Sequence, residues 1–240
     1  MMSPVGPAMI LSGFIMGFSG FGFAMAAISI LSFSLPLKTV IPFIFPCNLL
    51  INLVLLWHLR SRVSFLPVLP QIVMFVPGAF AGSLFLYYFS DGPLKIMAGF
   101  TLATFCIWRI RPHGPGTIQG SPALSGLSGL AGGFLGGAVY MPGPPVIMYN
   151  TLLEPDRFRF KANLQIFFLV SNLFLLCIYT ALGLFSKETL AMTAKYIPYT
   201  AAGLTLGMFA SARVSNRLFR QITLVFMAAM GIAILIKGIV

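Results

Sequence analysis

Two short stretches rich in glycine and proline interrupt long apolar runs, and they are the part of this sequence best suited to chemistry. They read Ser19-Gly20-Phe21-Gly22 and Pro142-Gly143-Pro144-Pro145. Glycine and proline break helices, and a helix that restarts after a break exposes backbone N–H groups with a partial positive charge. Such groups bind an anion without any charged side chain. We therefore predict an anion site formed by Ser19, Gly20, Phe21, Gly22, Gly143, Pro144 and Pro145.

Other glycines of the same runs have a simpler interpretation. Gly13, Gly17, Gly129 and Gly133 lie before the two breaks, at spacings that place small residues on one side of a helix. Small residues let helices approach closely in membranes. We expect these four glycines to serve packing.

A few polar side chains lie inside the apolar runs and could complete an anion site. Asn48 and Asn172 could donate amide hydrogens to an oxyanion, and the alternative for each is an ordinary hydrogen bond between helices. Tyr149 follows the second break and joins the predicted substrate-binding set. Lys38 and Lys161 begin the helices that carry the two asparagines. They could attract anions at a vestibule, and the alternative is that they snorkel to the membrane interface.

The acidic residues and histidines lie where metal or proton chemistry is not expected. Asp91, Glu154, Asp156 and Glu188 are in or beside loops, and His58 and His113 are at loop edges. Metal carriers and proton relays need such groups inside the helical bundle. No HExxH or GxSxG motif is present. The sequence therefore predicts neither an enzyme nor a metal site, and no cofactor.

The composition is that of a membrane protein. Of 240 residues, 58% are hydrophobic and 8% charged, whereas soluble domains carry about 25% charged residues. This excludes a soluble enzyme and a nucleic-acid binder, although the net charge is +11. We predict an all-α polytopic membrane protein, with no nucleic-acid partner and with membrane lipid around it. Its apolar stretches cover residues 4–35, 39–58, 66–89, 93–110, 122–152, 162–184, 189–211 and 217–239.

The order of these stretches indicates an internal duplication. A long, interrupted stretch followed by three shorter ones occurs twice. A shift of 123 places Gly13 on Gly136 and Gly20 on Gly143, and a shift of 124 places Asn48 on Asn172. A shift of 125 places Gly78 and Gly82 on Gly203 and Gly207. We predict a first transmembrane repeat over residues 1–115 and a second over 116–240.

The basic residues favour an inverted relation between the repeats. If stretches 4–35 and 122–152 are re-entrant, each repeat has three crossings and all nine arginines share one face. That face carries Arg60, Arg62, Arg109, Arg111, Arg157, Arg159, Lys161, Arg213, Arg217 and Arg220, and the other carries Lys38, Lys95, Lys187, Lys195 and Lys237. The alternative, eight continuous spans in two parallel four-helix halves, divides the basic residues eight against seven. By the positive-inside rule we prefer the inverted repeats, with the arginine-rich loops cytoplasmic.

Several segments resemble the TauE/SafE sulfite-exporter family. The run Gly17-Phe18-Ser19-Gly20-Phe21-Gly22-Phe23-Ala24 is similar to its first glycine-rich segment, and Gly143-Pro144-Pro145-Val146-Ile147-Met148-Tyr149 to its second. Phe160–Phe168 with Asn172-Leu173 resembles the next helix, and Val76-Pro77-Gly78-x3-Gly82 resembles the third helix of the first half. The sequence departs from the family at Tyr140-Met141, where a further glycine is usual.

The resemblance implies a bacterial inner-membrane transporter of small sulfur-containing anions such as sulfite, organosulfonates, sulfoacetate or thiosulfate. Architecture adds to this expectation, because inverted repeats with broken helices are typical of secondary transporters. A passive small-anion channel and a non-transporting membrane subunit are the alternatives. The sequence leaves a monomer and a homodimer equally open.

Overall fold

A computed structural model of the chain describes residues 5–110, 120–154 and 156–211, together with Ile232, Leu235 and Ile236. These residues form helices and no strands, which confirms the all-α class. The helices are α1 (Val5–Ser19), α2 (Phe23–Leu31), α3 (Leu37–Leu59), α4 (Leu69–Tyr88), α5 (Asp91–Ile110), α6 (Pro122–Val139), α7 (Gly143–Leu153), α8 (Arg157–Ala181) and α9 (Lys187–Ser211). The predicted eighth stretch, 217–239, lies almost wholly outside the described residues, as do Arg111, His113, Arg213, Arg217, Arg220 and Lys237.

The apolar helices agree with a polytopic membrane protein. Four helical segments of the described residues are long and apolar enough to cross a bilayer: Leu37–Arg62, Leu66–Tyr88, Pro122–Val139 and Phe158–Ala181. α3 is continuous through Pro42 and Pro46, which membrane helices tolerate because neighbouring groups satisfy the freed carbonyls. The predicted long stretches 4–35 and 122–152 each divide into two helices.

The chain divides into two compact units that differ from the two halves of the sequence. The first unit contains residues 1–51, 90–110 and 185–240, and the second contains residues 52–89 and 111–184. Each unit therefore draws on both halves. The repeats predicted over 1–115 and 116–240 describe a duplication of the sequence and not compact units. They stay a prediction.

In the first unit, α1 packs closely along α9. A Cβ added at Gly13 would lie 2.5 Å from the carbonyl oxygen of Thr200, and one at Gly17 would overlap that of Leu204. From the other side, a Cβ at Gly203 would overlap the Ile10 carbonyl oxygen. Residue numbers increase in the same direction along the two contacting helices, so α1 and α9 run parallel. Glycine is required here because the two backbones touch.

In the second unit, α6 packs along α4 in the same way. Added Cβ atoms at Gly133 and Gly137 would overlap the carbonyl oxygens of Phe75 and Ala79. Gly129 has the same relation to Gln71. These contacts confirm the packing role predicted for Gly129 and Gly133, and those above confirm it for Gly13 and Gly17.

The two helix pairs repeat each other contact for contact. Gly13 and Gly133 meet Thr200 and Phe75, and Gly17 and Gly137 meet Leu204 and Ala79. By these contacts, each position of α1 corresponds to the position of α6 that lies 120 residues later in the sequence. Each position of α4 corresponds in the same way to the position of α9 that lies 125 residues later. The predicted pairing of Gly13 with Gly136 and of Gly20 with Gly143 is wrong by three positions. The geometric counterparts are Gly133 and Tyr140.

The reason for that error lies in the composition of α6. Its sequence has glycine at positions 126, 129, 132, 133, 136 and 137. Several registers therefore match glycine with glycine, and only the contacts with α4 select one of them.

α6 and α7 form an antiparallel helical hairpin. Near the break, a Cβ at Gly132 would approach the side chain of Val146. At the other end, the Tyr149 hydroxyl donates to the Ser121 carbonyl oxygen at 3.2 Å. A Cβ at Gly120 would lie 3.4 Å from Leu153. The chain thus returns at the end of α7 to the level at which α6 begins.

Candidate functional site

The first helix break lies where it was predicted, in the first unit. α1 ends at Ser19 and α2 begins at Phe23. Gly20 and Gly22 have φ angles of 83° and 97°, a region that side chains with a Cβ avoid. The Ser19 hydroxyl lies 2.6 Å from the carbonyl oxygen of Phe21 and accepts the Phe21 N–H at 3.3 Å. Two glycines and one serine therefore fix the shape of this break.

The beginning of α2 has several backbone donors without an acceptor inside the helix. The first hydrogen bond inside the helix runs from the Ala26 N–H to the Gly22 carbonyl at 2.9 Å. The N–H groups of Phe23, Ala24 and Met25 precede it and have no acceptor within α2. Because α2 begins in an apolar setting, these three groups can bind an anion more strongly than they would in water.

The second break lies in the second unit and differs from the prediction in its position. α6 ends at Val139, and α7 begins at Gly143. The interruption is therefore residues 140–142, with Tyr140 in the left-handed region at a φ of 56°. Gly143, Pro144 and Pro145 form the first turn of α7. Proline suits this place because its fixed φ matches a helix and no N–H is left unsatisfied.

This first turn has few backbone donors. Of the four positions at which a helix leaves its N–H groups unpaired, Pro142, Pro144 and Pro145 have no N–H at all, and only Gly143 has one. The predicted binding residues Pro144 and Pro145 cannot donate hydrogen bonds from their backbone. Each break is three residues long, residues 20–22 and 140–142, and the helices that follow them differ in the number of backbone donors.

Side chains stabilise the second break from α8. The Tyr179 hydroxyl lies 2.9 Å from the carbonyl oxygens of both Gly136 and Gly137, which belong to the C-terminal turn of α6, where carbonyl groups have no partner inside the helix. The Tyr140 hydroxyl donates to Asn172 Oδ1 at 3.0 Å. Asn172 is 2% exposed, and its Nδ2 has no partner among the described residues. Asn172 thus lies beside the break with a buried, unused donor.

The tyrosines at positions 140 and 179 were missed by the sequence analysis. Each is fully buried, although a hydroxyl in an apolar helix needs a partner. That requirement is the signal that could have found them.

Tyr149 lies away from the break. It follows Gly143 by six residues, which is about 9 Å along a helix, and its hydroxyl donates to the carbonyl oxygen of Ser121. Next to it, Asn150 donates to Gln71 Oε1 at 3.2 Å, and Gln71 donates to the Ser128 hydroxyl at 3.1 Å. This buried amide network joins α7, α4 and α6 at the open end of the hairpin.

The remaining predicted residues lie on α3 and α8. Lys38 is exposed in the first turn of α3, and Asn48 is half-buried further along that helix. Lys161 is half-buried near the beginning of α8. In the first unit, Asp91 accepts the Leu37 N–H at 2.6 Å and forms an ion pair with Lys95. The described residues contain no group of three His, Cys, Asp or Glu side chains that could hold a metal ion.

Comparison with known proteins gives one finding. Searches of the curated proteins and of the solved structures find no match for this chain. A family description, sulfite exporter TauE/SafE, matches residues 5–234, which is nearly the whole chain. The family is one of membrane transporters, in agreement with the apolar helices and with the two helix breaks. The chain belongs to the TauE/SafE sulfite exporter family.

Proposed function

We propose that this chain is a secondary transporter of a small sulfur-containing anion, such as sulfite, an organosulfonate, sulfoacetate or thiosulfate, across the bacterial inner membrane. The observation that carries the proposal is the pair of helix breaks, each in a segment held backbone to backbone against a long helix. Broken helices are the usual binding elements of secondary transporters. Family membership supports the class of substrate.

The anion would bind between the two breaks, near the centre of the membrane. α7 has 11 residues and so measures about 16 Å, which is half the thickness of a hydrocarbon core of about 30 Å. This length supports a break at half depth if the open end of the hairpin lies at a membrane face.

The two breaks would contribute differently to binding, because the helices that follow them have different numbers of backbone N–H donors. The beginning of α2 would hold the anion with the N–H groups of Phe23, Ala24 and Met25, as Gly20 and Gly22 allow the turn before it. The beginning of α7 would contribute the Gly143 N–H, aided by the Asn172 amide. Asn48 would assist from α3, and Lys38 and Lys161 would attract anions to the two entrances.

The inverted arrangement has support from the second unit. The Ser64 N–H, in the loop after α3, donates to Asn163 Oδ1 near the beginning of α8 at 2.9 Å. Eight continuous spans would place this loop and that helix end on opposite faces. The antiparallel α6–α7 hairpin agrees with a re-entrant segment. We propose that this face is cytoplasmic, because the arginine-rich loops lie there.

The membrane potential is a sufficient driving force for export. When one negative charge leaves a cell whose interior is 100 mV negative, about 2.3 kcal/mol of free energy is released. A second ion is therefore not required. Access would alternate as one part of the protein rocks against the other.

Flux in proteoliposomes tests the function. Labelled sulfite, taurine and sulfoacetate would be offered with a potential imposed in either direction. Saturable flux that follows the potential, with counterflow of labelled substrate, is the expected result. Flux without saturation or counterflow would indicate a channel instead. Absence of flux and of any anion-dependent thermal shift, with stable co-purification of a partner, would favour a non-transporting subunit.

A matched pair of glycine variants tests the site. Gly20 and Gly183 both have positive φ angles, of 83° and 65°, but Gly183 lies in a loop, and nothing would touch its added Cβ within 4 Å. Replacement by alanine strains both backbones by about 1–2 kcal/mol. We expect Gly20→Ala to abolish flux and Gly183→Ala to retain it. Equal flux in the two variants would refute the site at the first break.

A further inference from the structure

A pocket at the end of the second unit combines arginine side chains with a fixed loop. It has a volume of about 450 Å³ and is lined by Ser61, Arg62, Val63, Ser64 and Arg159. The loop is held in place because the Ser64 N–H donates to Asn163 Oδ1 on α8. The pocket is therefore a built feature, in which one arginine comes from the loop after α3 and the other from the first turn of α8.

The positive charge of this pocket is only partly compensated. Among the described residues, the one ion pair joins Lys95 to Asp91. It includes neither Arg62 nor Arg159. The carboxylate of Asp156 accepts the N–H groups of Arg159 and Phe158 at 2.7 and 2.9 Å. Those hydrogen bonds, together with the charges of Arg62 and Arg159, lower the pKa of Asp156. A second carboxylate adjoins it, because Glu154 Oε1 accepts the Asp156 N–H at 3.1 Å.

The surroundings of the pocket are apolar and exposed. Leu66 is 80% exposed and Trp57 is 69% exposed. Phe65 and Leu69 follow the loop in the sequence, and Phe158 directly precedes Arg159; all three are exposed. The guanidinium carbon of Arg60 lies 4.1 Å from the centre of the Trp57 ring. An exposed tryptophan among arginines and leucines is typical of the boundary between headgroups and acyl chains.

We propose that this pocket binds the phosphate of an anionic phospholipid headgroup. Arginine forms two parallel hydrogen bonds with a phosphate, and Arg62 and Arg159 approach from two different elements. The volume fits a glycerophosphate headgroup better than a single four-atom oxyanion. Basic pockets between helices at the cytoplasmic face are known to recognise such headgroups. The exposed Leu66, Phe65 and Phe158 then contact the acyl chains.

This site differs from the proposed anion site in place and in ligand. It belongs to the end of α3 and the beginning of α8, whereas the transported anion is assigned to the breaks at Gly20 and Gly143. A soluble oxyanion on its way to the breaks is the competing occupant. Its chemistry is similar, so the experiment must distinguish the two sources.

Quenching of Trp57 fluorescence by brominated lipids reports which lipid lies at the end of α3, where Trp57 contacts Arg60 beside the pocket residues Ser61 and Arg62. The sequence contains two tryptophans, and Trp108→Phe leaves Trp57 as the single reporter. In vesicles of mixed composition, brominated phosphatidylglycerol should quench Trp57 more than brominated phosphatidylcholine does. Arg62→Gln and Arg159→Gln should each lower the relative association constant of phosphatidylglycerol about fivefold. Lys187→Gln removes one exposed charge from the first unit and should leave it unchanged.

Three results would overturn the proposal. One is equal quenching by the two lipids in the protein with Arg62 and Arg159 intact. Another is a loss of preference in Lys187→Gln as large as in the pocket variants, which would indicate general surface charge. The third is release of phosphatidylglycerol from the site by sulfite or inorganic phosphate, which would assign the pocket to a soluble anion. Circular dichroism of each variant confirms that the helices are retained.

Discussion

The hydroxyl of Tyr179 provides the most direct test of how the second break is stabilised. It lies on α8, is fully buried, and approaches the carbonyl oxygens of Gly136 and Gly137 at 2.9 Å each. Gly136 also accepts the Tyr140 N–H at 3.0 Å. Replacement by phenylalanine keeps the ring and removes only the hydroxyl. Gly136 then retains one donor, and Gly137 loses the one it receives from α8.

The magnitude follows from that single carbonyl group. A buried acceptor left without a partner costs about 1–3 kcal/mol, and water cannot replace the donor inside a bilayer. Hydrogen bonds between membrane helices contribute less on average, about 0.6 kcal/mol, because the unfolded chain in the membrane also finds partners. A helix terminus has no such alternative within its own helix. We therefore expect Tyr179→Phe to lower the free energy of unfolding by at least about 1 kcal/mol.

Reversible unfolding in mixed micelles of a mild detergent and dodecyl sulfate measures this difference. Tyr88→Phe is the matched control, because Tyr88 is 75% exposed and loses the same atom without leaving a buried acceptor. We expect Tyr88→Phe to unfold like the parent protein. If Tyr179→Phe is no less stable than Tyr88→Phe, the terminal carbonyls of α6 do not depend on this hydroxyl, and the reasoning fails.

Two further predictions concern the second unit. Gly137→Ala should lower the free energy of unfolding by about 1–3 kcal/mol, because its Cβ would overlap the Ala79 carbonyl oxygen; Gly120→Ala, whose Cβ would be in ordinary contact, should have little effect in the same assay. The second concerns Asp156, whose pKa is lowered, first by the Arg159 N–H. Its cap on α8 therefore contributes stability above the ordinary pKa of 3.8, and that stability is lost as the pH falls through the lower folded value. Hydrogen exchange of the Arg159 amide should accelerate in this acidic range in the parent protein and not in Asp156→Asn; the same acceleration in both would contradict the assignment.

Helix positions follow from the sequence because apolar run length is a local property. The predicted stretch 39–58 corresponds to Leu37–Leu59, and 66–89 to Leu69–Tyr88. The first break was also predicted in place, since Gly20 and Gly22 adopt the left-handed conformation that glycine favours. Segment boundaries of this kind need no knowledge of distant partners.

The second break shows the limit of such reasoning. Proline was interpreted there as a helix breaker, and Pro144 and Pro145 instead begin α7. The turn itself is made by Tyr140, a residue that rarely adopts a positive φ. Its ring is fully buried and its hydroxyl is bound to Asn172, and these tertiary contacts offset the backbone strain. A contact 32 residues away is not visible in a local pattern.

The pairing of helices was equally hidden. α1 packs in parallel against α9, and α4 packs in parallel against α6. Both pairings cross the boundary between the sequence halves. Only the spacing of Gly203 and Gly207, equal to that of Gly78 and Gly82, indicated that the two contacts are equivalent.

The exchange of helices between the sequence halves sets an order for assembly during synthesis. α4 and α6 are separated by only about 35 residues, whereas about 170 residues lie between the end of α1 and the beginning of α9. At a translation rate of about 5–20 residues per second, α6 follows α4 within about 2–7 s, and α1 waits about 8–34 s for its partner. During that interval the glycine face of α1 has no helix against it. The nascent chain therefore contains the completed α4–α6 pair while α1 still lacks α9, and a ribosome that stalls before α9 leaves α1 without its partner helix.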